Sequence, residues 1–326
     1  MNTEKMDTLK ETIKAKHNNI TGIVVQKNGQ CLHESYYNGS NAMSKTHVYS
    51  VTKSILALLV GVAANETPDF VVTPLASYFP ELQTTSGETT NQITVKNLLT
   101  MTTPYKYNED MQTYIRYFQS KNWTEFTLKQ LDRKSPTGIF RYTPLIGPDL
   151  VSALLTRVTK KDVLTFAKEK LFTPLGIQVE EPLLLKSEKE QMEFNSSIEL
   201  NGWVQDETGL NAGGWGLTLS PNDLLKIGQL ILNEGRWNDH QIIPKKWLKE
   251  MQTVHSFWEK EQLPYGYLWW IIDAEKPIIA AMGDGGNILY IDHEQQLIVA
   301  ITALFKADVY DRVAFIRDEL LPALEG

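Results

Sequence analysis

The chain of 326 residues contains a single cysteine, Cys31, so no internal disulfide can form. One thiol in a chain of this length fits a reducing compartment. Long hydrophobic runs are also missing. The longest, "ILALLVGVAA", is about ten residues, too short to cross a bilayer as a helix, and reads as a buried core helix. Positive charge is in deficit: 32 Lys and Arg against 39 Asp and Glu give a net charge of −7. That balance excludes a nucleic-acid partner, which needs a basic face, and no basic cluster is present to hold a membrane surface. The N-terminal "MNTEKMDTLKETIKAKHNN" has neither an apolar stretch nor a small-residue cleavage site. The expectation is therefore a cytoplasmic protein, or a secreted one if a leader was removed. There is no G-x-S-x-G elbow, no G-x-x-x-x-G-K phosphate loop and no H-E-x-x-H helix. "GDGGNI" fails the dinucleotide fingerprint because Ile288 takes its last position. The six histidines show no metal-ligand spacing, so no metal or organic cofactor is expected; His47 alone stands close to a candidate site residue.

What is present is ordinary globular composition, 42% hydrophobic and 22% charged, long enough to bury a large core without staples. "MDTLKETIKAKH" has helical spacing of Met6, Leu9 and Ile13, and "GIVVQKNGQCLHESYY" places Asn28-Gly29 between two β-rich runs, a hairpin signal. From about 66 to 200 the apolar spacing is mainly helical. "LSPNDLLKIGQLILNEG" opens on the N-cap Ser220 with Pro221 behind it and stops at Gly235. The last third turns to strands, "YLWWIID", "PIIAAMG", "NILYID" and "LIVAITALF", before a closing helix in "VYDRVAFIRDELL". The fold class predicted is α+β. An antiparallel sheet of about five strands, built from both chain ends and flanked by helices, stands beside a mostly helical lobe. The lobes are expected to be one catalytic unit, the α/β part at about 1–65 and 200–326 and the helical part at about 66–199. The cleft between them is the default site.

Within "VYSVTKSI" lies the only S-x-x-K of the chain, Ser50 to Lys53, just ahead of the apolar run. Positions i and i+3 share a helix face, which brings the Lys53 amine to the Ser50 hydroxyl. The positive end of the helix dipole then lies beside an oxygen on which negative charge develops. Partial desolvation would lower the lysine pKa. The same residues also describe an N-cap serine followed by a surface lysine. Two further stretches bear on the choice. "SPTGIFRYTPLIGPDLVSALL" carries Tyr142 in a Pro/Gly-rich segment before a helix, and "AAMGDGGNILYID" places Asp284, Gly285 and Gly286 between two strands, where glycines admit a close approach.

Taken in order, these stretches resemble the serine β-lactamase and penicillin-binding-protein superfamily. The nearest branch is the one holding class C β-lactamases, D-alanyl-D-alanine carboxypeptidases, related esterases and 6-aminohexanoate-dimer hydrolase. "VYSVTKSILALLVGVA" looks like the nucleophile helix, "TPLASYFPELQ…ITVKNLLTMTT" like the segment after it, and "PTGIFRYTP" like the tyrosine motif. "NAGGWGLTLSPNDLLKIGQLILNEGRWNDHQIIPKKW" and "YGYLWWI…GDGGNILYID" complete the series over nearly the whole chain. The resemblance implies the β-lactamase/transpeptidase-like fold and a serine hydrolase that forms an acyl-enzyme on Ser50. Lys53 and Tyr142 would handle the proton, with the base left open between them. Backbone N–H groups of Ser50 and Asn287 would make the oxyanion hole, and Asp284, Gly285 and Gly286 would line the substrate edge.

Two departures matter. The usual Tyr-x-Asn here reads Tyr142-Thr143-Pro144, and the third motif begins with Asp284 where a lysine or histidine usually helps hold a substrate carboxylate. A neutral or amine-bearing ester or amide is therefore expected in place of penicillins or D-Ala peptides. The partner implied is a small-molecule ester, amide or lactam; the oligomeric state is open, with a monomer allowed. A true β-lactamase or D,D-peptidase, an acyl transferase, and a non-catalytic descendant that only binds a ligand or partner are the rivals. The aromatic group Tyr265, Tyr267, Trp269 and Trp270, and Trp215 in "GGWGL", read equally as acyl-pocket lining or as core packing.

Overall fold

A computed structural model describes residues 3–65, 67, 69–82 and 93–324. The stretch 83–92, which interrupts "TPLASYFPELQ…ITVKNLLTMTT", lies outside the described residues. The main sheet has eight strands, numbered here in chain order: β1 Ile20–Lys27, β2 Gln30–Tyr36, β3 Ser256–Trp258, β4 Leu263–Tyr265, β5 Trp270–Asp273, β6 Ile278–Gly283, β7 Asn287–Asp292 and β8 Leu297–Ala303. Their order across the sheet is β2-β1-β8-β7-β6-β5-β4-β3, antiparallel throughout. Both chain ends build it, as Val24 of β1 pairs with Ala300 of β8. The sheet exceeds the expected count of about five because β3 and β4, three residues each, extend it beyond β5, the strand read in "YLWWIID". The β1–β2 turn is Asn28-Gly29 with φ of 52° and 76°, the positive pair that a tight hairpin requires.

Side chains alternate across this sheet. Ile279, Ala281, Leu289, Ile291, Ile298 and Ala300 face one core, whereas Ile278, Ala280, Ile288, Tyr290, Val299 and Ile301 face the other. The second core is closed by helix α1, Thr3–Lys16, through Leu9 and Ile13, and by the closing helical segment through Phe315, Ile316 and Leu320. The first is closed by α2, Val51–Ala64, whose residues Val51 to Gly61 are all buried. A helix apolar on every side is a core helix, packed between the sheet and the helical region. Gly61 lets it sit against Trp247: a Cβ there would come within 2.2 Å of the indole ring. Trp247 in turn donates its N–H to Ala57 O at 2.9 Å. Helix Asp149–Thr159 packs on the other flank of α2. Together these contacts fix where the N-terminus of α2 emerges.

Candidate active site

The chain enters α2 through a sharp turn. Tyr49 has φ of 49°, the left-handed region that costs a bulky residue free energy, and Ser50 follows with helical angles. His47 stacks on Tyr49 with ring centroids 3.8 Å apart, holding that turn from outside. Ser50 occupies the N-cap position yet makes no side-chain cap hydrogen bond. Its hydroxyl is instead met by Lys53, whose Nζ lies 2.8 Å from Oγ. Lys53 is 1% exposed. Both halves of the capping-serine and surface-lysine alternative therefore fail.

The amine has two more contacts, the backbone carbonyls of Pro144 at 2.7 Å and Gly214 at 2.8 Å. Neither acceptor is charged. Burial lowers the lysine from 10.5 to about 7, against the smaller opposing pull of Asp284, Asp149 and Glu109. A neutral amine has two N–H donors and one lone pair. Two carbonyls and one hydroxyl are the partners that such a group can satisfy in full. The proline that replaces the expected asparagine thus still serves the site, through its carbonyl.

Tyr142 closes the cluster. Lys53 Nζ lies 5.2 Å from the centre of its ring, and Trp258 and Trp270 flank it at 5.9 and 5.5 Å. Burial pushes the phenol well above its usual value, with hydrogen bonding to Ser50 offsetting only part of the rise. The phenolate is disfavoured near neutral pH. Of the aromatic stretch, Trp270 reaches the site, while Trp269 donates its N–H to Ser54 O and Tyr265 and Tyr267 are buried in the core. Trp215 is also buried, its indole N–H donated to the Tyr117 hydroxyl at 3.3 Å. His47 accepts a hydrogen bond from the Gly216 N–H at 2.9 Å and so pins the glycine-rich loop that carries Gly214.

The β6–β7 turn, Asp284–Gly286, follows directly on Gly283, which lies against Ser50. A Cβ on Gly283 would stand 2.3 Å from Val48 O and 3.0 Å from Ser50 N. Asn287 pairs with Gly283 across the hairpin, and its side chain is spent on the backbone: Nδ2 donates to Asp284 O at 2.7 Å, while Oδ1 accepts from Ala303 N at 2.9 Å. Below the turn, the buried Arg312 donates to Gly286 O at 3.2 Å, and Asn19 donates to Gly285 O at 2.7 Å. The glycines singled out from sequence thus form the turn, whereas the one touching Ser50 ends the preceding strand; its signal was a glycine closing an apolar run.

A cavity of about 550 Å³ lies along this turn, lined in part by Asp284, Phe305, Tyr310 and Arg312. Phe305, half exposed, also contacts Tyr49 at 5.9 Å. A larger groove of about 680 Å³ runs by Val62, Lys170 and Trp237. It sits at the opposite end of α2, about 20 Å of helix away from Ser50, and has no part in this cluster.

Comparison with known proteins agrees in fold. The beta-lactamase family model matches residues 9–319. The 6-aminohexanoate-dimer hydrolase of Paenarthrobacter ureafaciens is 23% identical over 284 residues, covering 79% of this chain and 66% of that protein. The chain therefore spans just under two thirds of the length of this curated relative. The structure of a D-stereospecific amidohydrolase from Streptomyces sp. superposes with a TM-score of 0.72 at 15% identity, covering 99% of both chains. A penicillin-binding protein homologue from Pyrococcus abyssi gives 0.72 at 18% identity, over 98% of this chain and 77% of that one. At such identities the superpositions establish the shared fold.

Proposed function

The chain belongs to the beta-lactamase family, and on that footing we propose that it is a serine hydrolase cleaving a small ester or amide through an acyl-enzyme on Ser50. The observation that carries the reading is the 2.8 Å contact between Ser50 Oγ and an amine buried against two uncharged carbonyls. Lys53 takes the Ser50 proton as Oγ attacks the carbonyl carbon. The oxyanion is received by the Ser50 N–H and a backbone N–H of the 283–287 hairpin, whose Gly283 end is nearest the nucleophile. As the tetrahedral intermediate collapses, the bond to the leaving group breaks and that group receives a proton from Tyr142, which takes one in turn from the Lys53 ammonium, so that the amine is neutral again. Water then attacks the acyl-Ser50 ester with Lys53 as base, releasing the acid and restoring the serine.

The charges around Lys53 and Tyr142 are acidic, Asp284 and Glu109, and Asp284 is exposed on the turn. A substrate carboxylate beside the scissile bond meets repulsion there, whereas a neutral or amine-bearing substrate does not. Penicillins, cephalosporins and peptides ending in D-Ala are accordingly poor substrates in this reading. The relative named 6-aminohexanoate-dimer hydrolase supports the amide side of it.

The test is the intact mass of the protein after brief exposure to excess p-nitrophenyl acetate or butyrate, beside Ser50→Ala, with nitrophenol release followed in parallel. One acyl group and a burst are expected in the wild type alone. An equal adduct on Ser50→Ala, or no turnover above buffer, defeats the reading. Nitrocefin hydrolysed as fast as the best ester would return the β-lactamase alternative.

A further inference from the structure

Asp149 is the first residue of helix Asp149–Thr159, and its side chain is fully buried, with 0% exposure. Its Oδ1 accepts the Gly213 N–H at 2.8 Å, joining two segments 64 residues apart. Its other polar neighbour is the buried Tyr117 phenol, which interacts with the carboxyl. A carboxyl in that position is costly, and an acceptor for one N–H could be had from a neutral side chain.

What Gly213 leads to makes the placement intelligible. The next residue, Gly214, supplies one of the two carbonyls that hold the Lys53 amine, and Pro144, five residues before Asp149, supplies the other. The two segments touch backbone to backbone. A Cβ on Gly213 would come within 2.1 Å of Pro148 O, and one on Gly214 within 2.4 Å of Pro144 O. Asp149 is the side chain that ties this contact, so it sets the spacing of both acceptors around the amine.

We propose that Asp149 is a positioning residue for Lys53, which acts through the Gly213 peptide. The proposal rests on the reading of Lys53 as the base for Ser50. Burial raises the Asp149 carboxyl to about 8, with Asp206 adding to the rise and Gly213, Tyr117 and Lys53 opposing it. Lys53, at about 7, is faced by Asp284, Asp149 and Glu109, with the Tyr142 ring beside it. Tyr105 is a further neighbour of Asp149.

Asp149→Asn keeps an acceptor for the Gly213 N–H, whereas Asp149→Ala removes it. Asp149→Ala should lower kcat for p-nitrophenyl butyrate at least about tenfold and move the acid limb of kcat/KM, because the two carbonyls around the amine lose their spacing. Asp149→Asn should restore most of both. The second measurement needs no turnover: the ¹³C titration of Lys53 Cε, whose midpoint should move in Asp149→Ala and stay near wild type in Asp149→Asn. Rescue by asparagine in both readouts supports the proposal; a folded Asp149→Ala with wild-type limb and midpoint, or an Asp149→Asn as impaired as Asp149→Ala, overturns it. Should the wild type show no Ser50-dependent turnover, the hydrolase reading falls, and the lysine titration alone decides whether Asp149 positions the amine.

Discussion

The Lys53 amine stands 2.8 Å from the Ser50 hydroxyl with no carboxylate in direct contact. An amine paired with an acid would stay protonated and could only stabilise charge. This one, lowered to about 7 by burial, can accept a proton at neutral pH. The sign follows: the working form is the neutral amine, so acylation should rise with pH and level off above about 7. Lys53→Arg is the informative variant, because a guanidinium stays charged. It should lose about 10²–10⁴-fold in the acylation burst and gain no plateau up to pH 9. Stopped-flow nitrophenol release across pH measures both. Arginine working at a tenth of the wild-type rate would remove the lysine as base.

Tyr142 makes a different prediction, because burial keeps its hydroxyl protonated over the working range. A group in that state donates. Donation matters when the leaving group is a poor one and hardly at all when it is p-nitrophenolate. Tyr142→Phe should therefore cost an anilide or alkyl ester about 10²-fold or more and a p-nitrophenyl ester far less, without moving the pH limb. Equal losses on the two substrate types would mean that the residue shapes the site and transfers no proton.

Sequence pattern located the side chains of this site and missed its backbone. Ser50, Lys53 and Tyr142 are legible because a short motif and a helix start carry them. The acceptors for Lys53 are carbonyls of Pro144 and Gly214, and any residue has a carbonyl. Gly283 was passed over for the glycines after it, since nothing local says that Ser50 N lies against its Cα. The strands β7 and β8 were found as apolar runs because both faces of the sheet are covered. By contrast, β3 and β4 are three residues each and β4 contains Pro264, too little chain for a period to show. Nothing local to Asp149 points to its partner, which is 64 residues away.

Two glycines should separate activity from stability. At Gly283 an added methyl group meets Val48 O and Ser50 N, which are backbone atoms at the nucleophile turn. At Gly61 it meets the ring of Trp247, on the same helix but remote from Ser50. Gly283→Ala should lower the acylation rate by at least about tenfold, since small displacements at a reacting centre are costly. It should also cost folding stability, because the atoms met are backbone and must shift, so the rate is taken per folded molecule. Gly61→Ala should cost about 1–3 kcal/mol of folding stability by overpacking and leave the rate per folded molecule nearly unchanged. Denaturant unfolding and active-site titration of the same preparations test the pair. The reverse pattern would sever the link between Gly283 and the nucleophile.

Acid should loosen the site through His47. Burial lowers this imidazole from 6.5 to about 3, despite the Asn195 hydrogen bond that works the other way. Its Nε2 accepts the Gly216 N–H, so a second ring proton would be driven against a donor. The folded state thus binds that proton more weakly than the unfolded chain does. Stability from this group is complete above about pH 6.5 and is lost as the pH falls toward 3. His17, lowered to about 4 by burial with Arg312 adding to it, tilts the curve the same way. Urea midpoints should therefore decline between pH 6.5 and 4.5, and His47→Gln should flatten that decline while the His17 share persists. Because Gly216 lies two residues beyond the carbonyl that holds Lys53, acylation should fail before global unfolding on the acid side. A decline equally steep in His47→Gln would mean that the histidine does not anchor the loop.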